Sequence, residues 1–468
     1  MVIYNIPKEY GHISDDFEVL CEGKSLDVLS CRVSAYPFNR PWPGHQRDKS
    51  QTEQFSYVRF GCDGAYTLKI RSRLPYNNVT IRPLSKNIVP VIESDGSITA
   101  TFPGKGQYTV EFDGVHHAFA VFADPEKQFD VNKDDPDTLY FGPGVHDYKE
   151  GIDLRDGQTV YIDKDAVLYS GFRAKNVKNI RILGYGILDN SKSDTLPIDS
   201  ACSEGIVFDG PVIIDTASWA LCFRGGKDID VRGVKLLGFW RYNADGCDFC
   251  NVANASIRDS FIRSFDDCIV VKGLPNNTEK PTENIRAENC VLWCDWGRAL
   301  EIGAENCAPY IRDITFRNID IIHGMDVMLD VQQGDRAMIE NVLYEDIRVE
   351  YTALMQSPKF QKGENDVYYN VNPSHMPFLI IMSIARNPYT HDSTTGSLRN
   401  VTFKNISVTT PDGRIPRCDI GCNVEGSEIA DVSISNVYIN GKKAEAAQDM
   451  GLKVFSGCRN IVLEGKKL

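Results

Sequence analysis

The chain has 468 residues, 42% of them hydrophobic and 25% charged, with a formal net charge of −13. That is the composition of an ordinary globular protein with core enough for two to four domains, and the acidic balance excludes nucleic acid or an anionic membrane as the main partner. No apolar run is long enough to cross a bilayer. The first twenty residues, Met1 to Leu20, carry no basic leader and no long apolar segment, so the expectation for the fourteen cysteines is a reduced, cytoplasmic chain.

Residues 1–125 are read as a β-sandwich. Period-2 runs such as Tyr57-Val58-Arg59-Phe60, Thr67-Leu68-Lys69-Ile70, Thr109-Val110-Glu111-Phe112 and Phe119-Ala120-Val121-Phe122 alternate with Gly, Asn and Asp turns about every ten residues. A proline-rich insertion, Tyr36 to Arg47, interrupts them. It reads either as a long sandwich loop or as an arm reaching over the second domain's groove.

After a linker at Ala123–Gln128, residues 126–468 are read as a right-handed parallel β-helix. Short apolar runs of one type recur, each read as one strand of a turn: Asn179-Ile180-Arg181-Ile182, Asp228-Ile229-Asp230-Val231, Ala255-Ser256-Ile257, Asn284-Ile285-Arg286-Ala287, Asp313-Ile314-Thr315-Phe316, Asn341-Val342-Leu343-Tyr344, Asn400-Val401-Thr402-Phe403, Asp431-Val432-Ser433-Ile434 and Asn460-Ile461-Val462-Leu463. Positions 257, 285, 314 and 342 are 28, 29 and 28 residues apart, and 401, 432 and 461 are 31 and 29 apart. A period of that size suits one turn of a coil, whose neighbouring turns stack at about 4.8 Å. One excursion, Leu354 to Gly396, leaves Val342 and Val401 two periods apart, and such excursions often border a binding groove.

Within the coil, Asp245 precedes the adjacent pair Asp266 and Asp267 by 21 residues, close to one turn. Stacking therefore brings three acids together. Taken singly each is an ordinary solvated turn residue; together they form a site. Consecutive residues of a regular strand point to opposite faces, so the pair requires a bend or bulge if both are to enter one groove.

The segments Asn243-Ala244-Asp245 and Phe265-Asp266-Asp267-Cys268-Ile269-Val270-Val271-Lys272, with Ser218-Trp219-Ala220-Leu221 upstream, resemble the motifs of polygalacturonase-like glycoside hydrolases of family 28. A sandwich ahead of the coil is more similar to the related family 49 dextranases and isopullulanases. The resemblance covers roughly residues 135 to 345. It implies an inverting hydrolase of α-linked sugars, without metal or organic cofactor, in which Asp266 is the general acid and Asp245 and Asp267 share the attacking water. The chain departs from family 28 in two places. Trp296-Gly297 stands where that family has His-Gly, and Met328-Leu329-Asp330 stands where it has the Arg and Lys that hold a uronate. A neutral sugar is therefore favoured over galacturonate. Position beside the acids and side-chain chemistry mark Asn243, Trp240, Lys272, Trp296, Arg298 and Glu301 as candidate substrate contacts, with Asp330 and Gln332 on the turn where the basic pair is missing; Trp240 and Trp293 read equally as packing residues and Asn243 and Lys272 equally as supports of the acids.

Other signals carry less. Cys247-Asp-Phe-Cys250 and Cys290-Val-Leu-Trp-Cys294 lack the second tight pair of a metal site and read as neutral thiols stacked in the coil. β-Elimination on such a coil needs a calcium site and a basic residue, and neither is assembled. Two alternatives remain: a polygalacturonase-like hydrolase that binds uronate by other residues, and a carbohydrate-binding coil without catalysis. Oligomeric state is not readable.

Overall fold

The computed structural model describes residues 1–35, 39–40, 49–351, 359–360, 369–370, 376–411 and 413–468. The architecture is all-β, and most of the chain is a parallel β-helix. From Thr138 onward, successive turns stack into an array of 21 strands that covers two sides of the coil and an array of 11 strands that forms the third, counted among the described residues.

The repeat seen in the sequence is the rung of this coil. Ile180, Ile206, Ile229, Ala255, Ile285, Ile314, Val342, Val401, Val432 and Ile461 pair in register from turn to turn and all lie in the core. Each of those Ile and Val side chains contributes roughly 1.5–3 kcal/mol by leaving water, and Ala255 less. The residue before nearly every one is an Asn or Asp in the left-handed region, such as Asn284 (φ 53°), Asp313 (φ 57°) and Asn341 (φ 59°), with Gly205 serving at one turn. Asn and Asp tolerate that conformation because their short polar side chains can hydrogen-bond locally. Here they bond along the stack: Asn284 Nδ2 donates to Asn254 Oδ1 (2.9 Å), Asn341 to Asp313 (2.9 Å), Asn400 to Asn341 (2.7 Å) and Asn460 to Asp431 (2.7 Å).

One step of the predicted spacing is wrong. Ile285 pairs with Ala255, and Ile257 pairs with Ala287, because the asparagine ladder aligns Asn254 with Asn284. Val342 and Val401 pair in register across the excursion, but its expected bounds, Leu354 to Gly396, are too wide: Phe378–Ile384 is itself a strand of the 11-stranded array. The thiols follow the alternation of their strands: Cys247, Cys290 and Cys294 lie in the core cluster, whereas Cys250 falls on the outward side of its strand and is still buried.

Residues 1–124 form two further sheets that share one apolar cluster, including Phe17, Leu68, Phe102 and Val121. This unit is joined to the coil by a second dry cluster in which Phe55, Tyr57 and Phe122 meet Ile187, Phe261 and Trp293. Buried charge reinforces the junction: Arg82 bridges Glu111 (3.0 Å) and Glu350, and His323 pairs with Glu111 at 2.7 Å. The arm expected at 36–47 lies outside the described residues, apart from Asn39–Arg40. The backbone of that short strand pairs with Lys359–Phe360 of the excursion.

Candidate active site

The 11-stranded face of the coil carries the site. Cys247 pairs with Ile269, so Asp245 stands level with Asp267 on the next turn. By the same registers Trp219 is level with Asp245, and Arg298 with Asp267. Stacking alone therefore places Trp219, Asp245, Asp267 and Arg298 in one column along the coil.

Asp266 and Asp267 sit where the chain leaves its strand at Ser264 and resumes at Ile269, a bend of four residues. The bend turns both side chains to one place. A Cβ on Gly297, one turn further on, would collide with Oδ1 of Asp266 and Oδ1 of Asp267 at once. Only glycine leaves room for both carboxylates there. The approach also means that the two acids stand closer together than the roughly 6.5–9.5 Å spanned by the acid and base of an inverting glycosidase.

Two cations knit the acids together. Lys272 Nζ lies 3.7 Å from Asp245, 3.6 Å from Asp248 and 3.9 Å from Glu305, and 4.1 Å from the centre of the Trp219 ring. Arg298 reaches Asp330 (3.4 Å), Asp267 (3.9 Å) and Asp326 (4.0 Å), and its backbone N–H donates to Asp267 Oδ1 at 2.7 Å. Gln332 Nε2 donates to Asp330 (2.8 Å) and Glu301 (3.2 Å). Asp245 is 1% exposed, and Asp266 and Asp267 are 6% exposed each, so all three carboxyls are buried.

Eight carboxyls around two cations cannot all ionise in so dry a place. The protons are divided unevenly. Burial, Asp267 and other neighbouring acids hold Asp266 well above the usual carboxylate range. Burial and Asp248 do the same for Asp245, against the pull of Lys272. Burial and Asp267 raise Glu301 well above its ordinary value. Asp248 and Asp330 are each pushed up to about 7 by burial. Asp267 alone of the three predicted acids is lowered: burial would raise it, but the Arg298 guanidinium, a hydrogen bond with Glu301 and the Arg298 N–H outweigh that. Adjacent residues thus hold opposite protonation states, the arrangement that general acid and base chemistry uses.

Several predicted contacts take other places. Trp296 is turned inward, 6% exposed, and stacks on Phe265 (5.6 Å between centroids, 14° between planes), so its face is closed to a sugar. Phe265, in the bend that carries the acids, and Trp296, one turn further on, both pack into the core. Trp240 is buried away from the acids, its Nε1 donating to Asp215 Oδ2 at 3.4 Å. Trp293 packs with Arg263 and His323 at the junction with the N-terminal unit. Asn243 (φ 56°) braces the loop before Asp245 by donating to Ser218 Oγ. Arg298, Glu301, Asp330 and Gln332, named as candidate substrate contacts, lie in the acid cluster. Asp248, Glu305, Asp326 and Trp219 were missed. Asp248 was legible in principle, since it shares the outward row of the face with Glu301 and Asp330.

No family model matches the chain. A probable rhamnogalacturonase B of Aspergillus terreus is 26% identical over 134 residues, covering 29% of this chain and 24% of that protein. A probable exopolygalacturonase B of the same organism is 24% identical over 208 residues, covering 37% of this chain and 46% of that one. The homologues are glycoside hydrolases. The chain spans between about a quarter and a half of the length of these curated relatives. In structure it is similar to Dex49A from Penicillium minioluteum, with a TM-score of 0.67 over 97% of this chain and 95% of that one at 14% identity, a likeness of fold.

Proposed function

We propose that this protein is a glycoside hydrolase that cleaves α-glycosidic bonds in a pectin-type polysaccharide or its oligosaccharides. The observation that carries the reading is the bend at Asp266 and Asp267, which turns two neighbouring carboxyls with opposite protonation to one point on the coil. Asp266, kept protonated, donates to the leaving glycosidic oxygen. Asp267, kept ionised by Arg298, activates the water, and Asp245 on the preceding turn helps hold it. That narrows the expected sharing of the base role, since Asp245 itself is held protonated.

The substrate reading moves away from the neutral sugar favoured by the missing basic pair. The relatives' names, rhamnogalacturonase and exopolygalacturonase, weigh toward a uronate-containing chain. The two sheets of residues 1–124 are read as the expected β-sandwich.

The test is hydrolysis of polygalacturonate, rhamnogalacturonan and neutral α-glucans by the pure protein, with NMR identifying the anomer released first. Asp266→Asn should reduce kcat by at least about 1,000-fold while oligosaccharide still binds. The inverted anomer should appear first. The close approach of Asp266 and Asp267 suits a direct nucleophile as well, so a retained anomer would reassign Asp267 to that role. No hydrolysis of any of these substrates would leave the carbohydrate-binding coil as the reading.

A further inference from the structure

Away from the three acids, the N-terminal unit and the coil together line an open cavity of about 460 Å³. Its coil wall includes Asp189, Asp215, Trp240 and Arg241, and its opposite wall includes Arg32, Lys49 and Glu53, the last paired with His116. We infer that this cavity is a subsite for a uronic-acid residue of the substrate, with the Arg241 and Arg32 guanidiniums holding its carboxylate. The inference rests on the glycosidase reading above and names where its specificity lies.

Three observations support it. The first is construction: Asp215 Oδ2 accepts from Trp240 Nε1 (3.4 Å) and from Arg241 Nη2 (3.3 Å), while Asp215 Oδ1 accepts the Thr216 N–H at 2.7 Å. One buried carboxylate thus fixes an indole and a guanidinium at the cavity wall, and Arg241 lies 5.6 Å from the centre of the Trp240 ring. Across the cavity, Arg32 is held by a 2.7 Å bond from Nη1 to Thr52 Oγ1. Two planar donors brought from distant parts of the chain to one cavity match a carboxylate, which binds bidentately to such forks.

The second is continuity with the acids. The loops that carry Asp215 and Trp240–Arg241 at the cavity carry Trp219 and Asp245 at their other ends. Ser218 Oγ donates to the Asn243 carbonyl (3.3 Å), which ties the two loops together between the cavity and the reaction centre. A sugar in the cavity and a bond at Asp266 can therefore belong to one oligosaccharide. The third is size: the volume falls within the range of small-molecule sites and exceeds what one sugar ring needs. A uronate holder here also answers the absence of the basic pair at Met328–Asp330. The N-terminal unit would supply half of it.

The test is calorimetric titration of the full-length protein carrying Asp266→Asn with digalacturonic acid, and with the uncharged α-1,4-galactobiose as control. The uronate should bind at least tenfold more tightly than the neutral sugar. Arg241→Met and Arg32→Met should each weaken uronate binding by roughly 10- to 100-fold, leave the neutral sugar unaffected, and raise KM with little change in kcat. Arg241→Lys, which keeps the charge and loses the fork, should fall between. Equal affinity for the two sugars, no binding of either, or uronate binding indifferent to both arginines overturns the inference even if hydrolysis is confirmed. Should hydrolysis fail on every substrate while arginine-dependent uronate binding persists, the catalytic reading falls and the subsite stands.

Discussion

Replacing Gly297 with alanine should separate activity from stability. The added Cβ falls inside van der Waals contact with Oδ1 of Asp266, Oδ1 of Asp267 and the Asp266 carbonyl carbon. Ordinary contacts lie near 3.5 Å, so the carboxylates or the bend must retreat by about an ångström. Overpacking of that kind costs about 1–3 kcal/mol of folding free energy, which a large coil tolerates. A reacting group displaced by about 1 Å costs about 100-fold in rate. The expected result is a folded protein with kcat reduced about 100-fold and an altered pH profile, because the 2.7 Å bond from Arg298 N to Asp267 belongs to the same bend. Initial rates across pH, with circular dichroism at the assay temperature, measure both. A kcat within threefold of the parent and an unchanged profile would refute the view that these two acids react at the point they share.

Asp330 is pushed up to about 7 when folded, so the native state keeps a proton that the unfolded chain loses near pH 4; this carboxyl lowers stability as pH rises from about 4 to about 7. Asp330→Asn should therefore flatten the fall in urea stability over that window, by at most about 1.4 kcal/mol per pH unit, and an unchanged slope would contradict the assignment. Lys272→Met leaves Asp245, Asp248 and Glu305 without their shared cation and should cost about 3–5 kcal/mol at neutral pH. The loss should shrink as pH falls through about 7, where Asp248 takes up its proton, and a loss independent of pH would refute the electrostatic account. At the ladder, Asn284→Ala forces a Cβ residue without a local hydrogen bond into the left-handed region and should cost about 1–2 kcal/mol. Asn284→Gly should cost less, and the opposite order in urea midpoints would show that backbone conformation is not what the asparagine supplies.

What could be read from the sequence follows what repeats. Each turn begins with the same backbone requirement, a left-handed residue followed by a core residue, so Asn284-Ile285, Asp313-Ile314 and Asn341-Val342 announce the coil and its period. The convergence of the acids follows from that period, and the bend at Asp266 follows from the pleat. Where one side chain's direction decides, the pattern is silent. Trp296 lies in a bend, where alternation no longer says which way a residue points, and it turned inward. Trp240 belongs to a loop whose partner, Asp215, sits 25 residues earlier, about one turn away, but the repeat does not say which way a loop side chain points. The interval at Ile257 misled because Ala255, too small to announce itself as a core position, holds the rung that Ile285 continues.

The in-register pairing of Val342 with Val401 shows that the coil can release a long stretch of chain and recover its stack without losing a rung. Each turn needs only its polar peg and its apolar peg to find the next. Lengthening or exchanging the intervening chain is therefore thermodynamically cheap, since closing a longer loop costs little more than closing a short one. Chain inserted between two rungs can diverge while the stacked face stays constant, which lets this architecture vary at its edge without rebuilding its core.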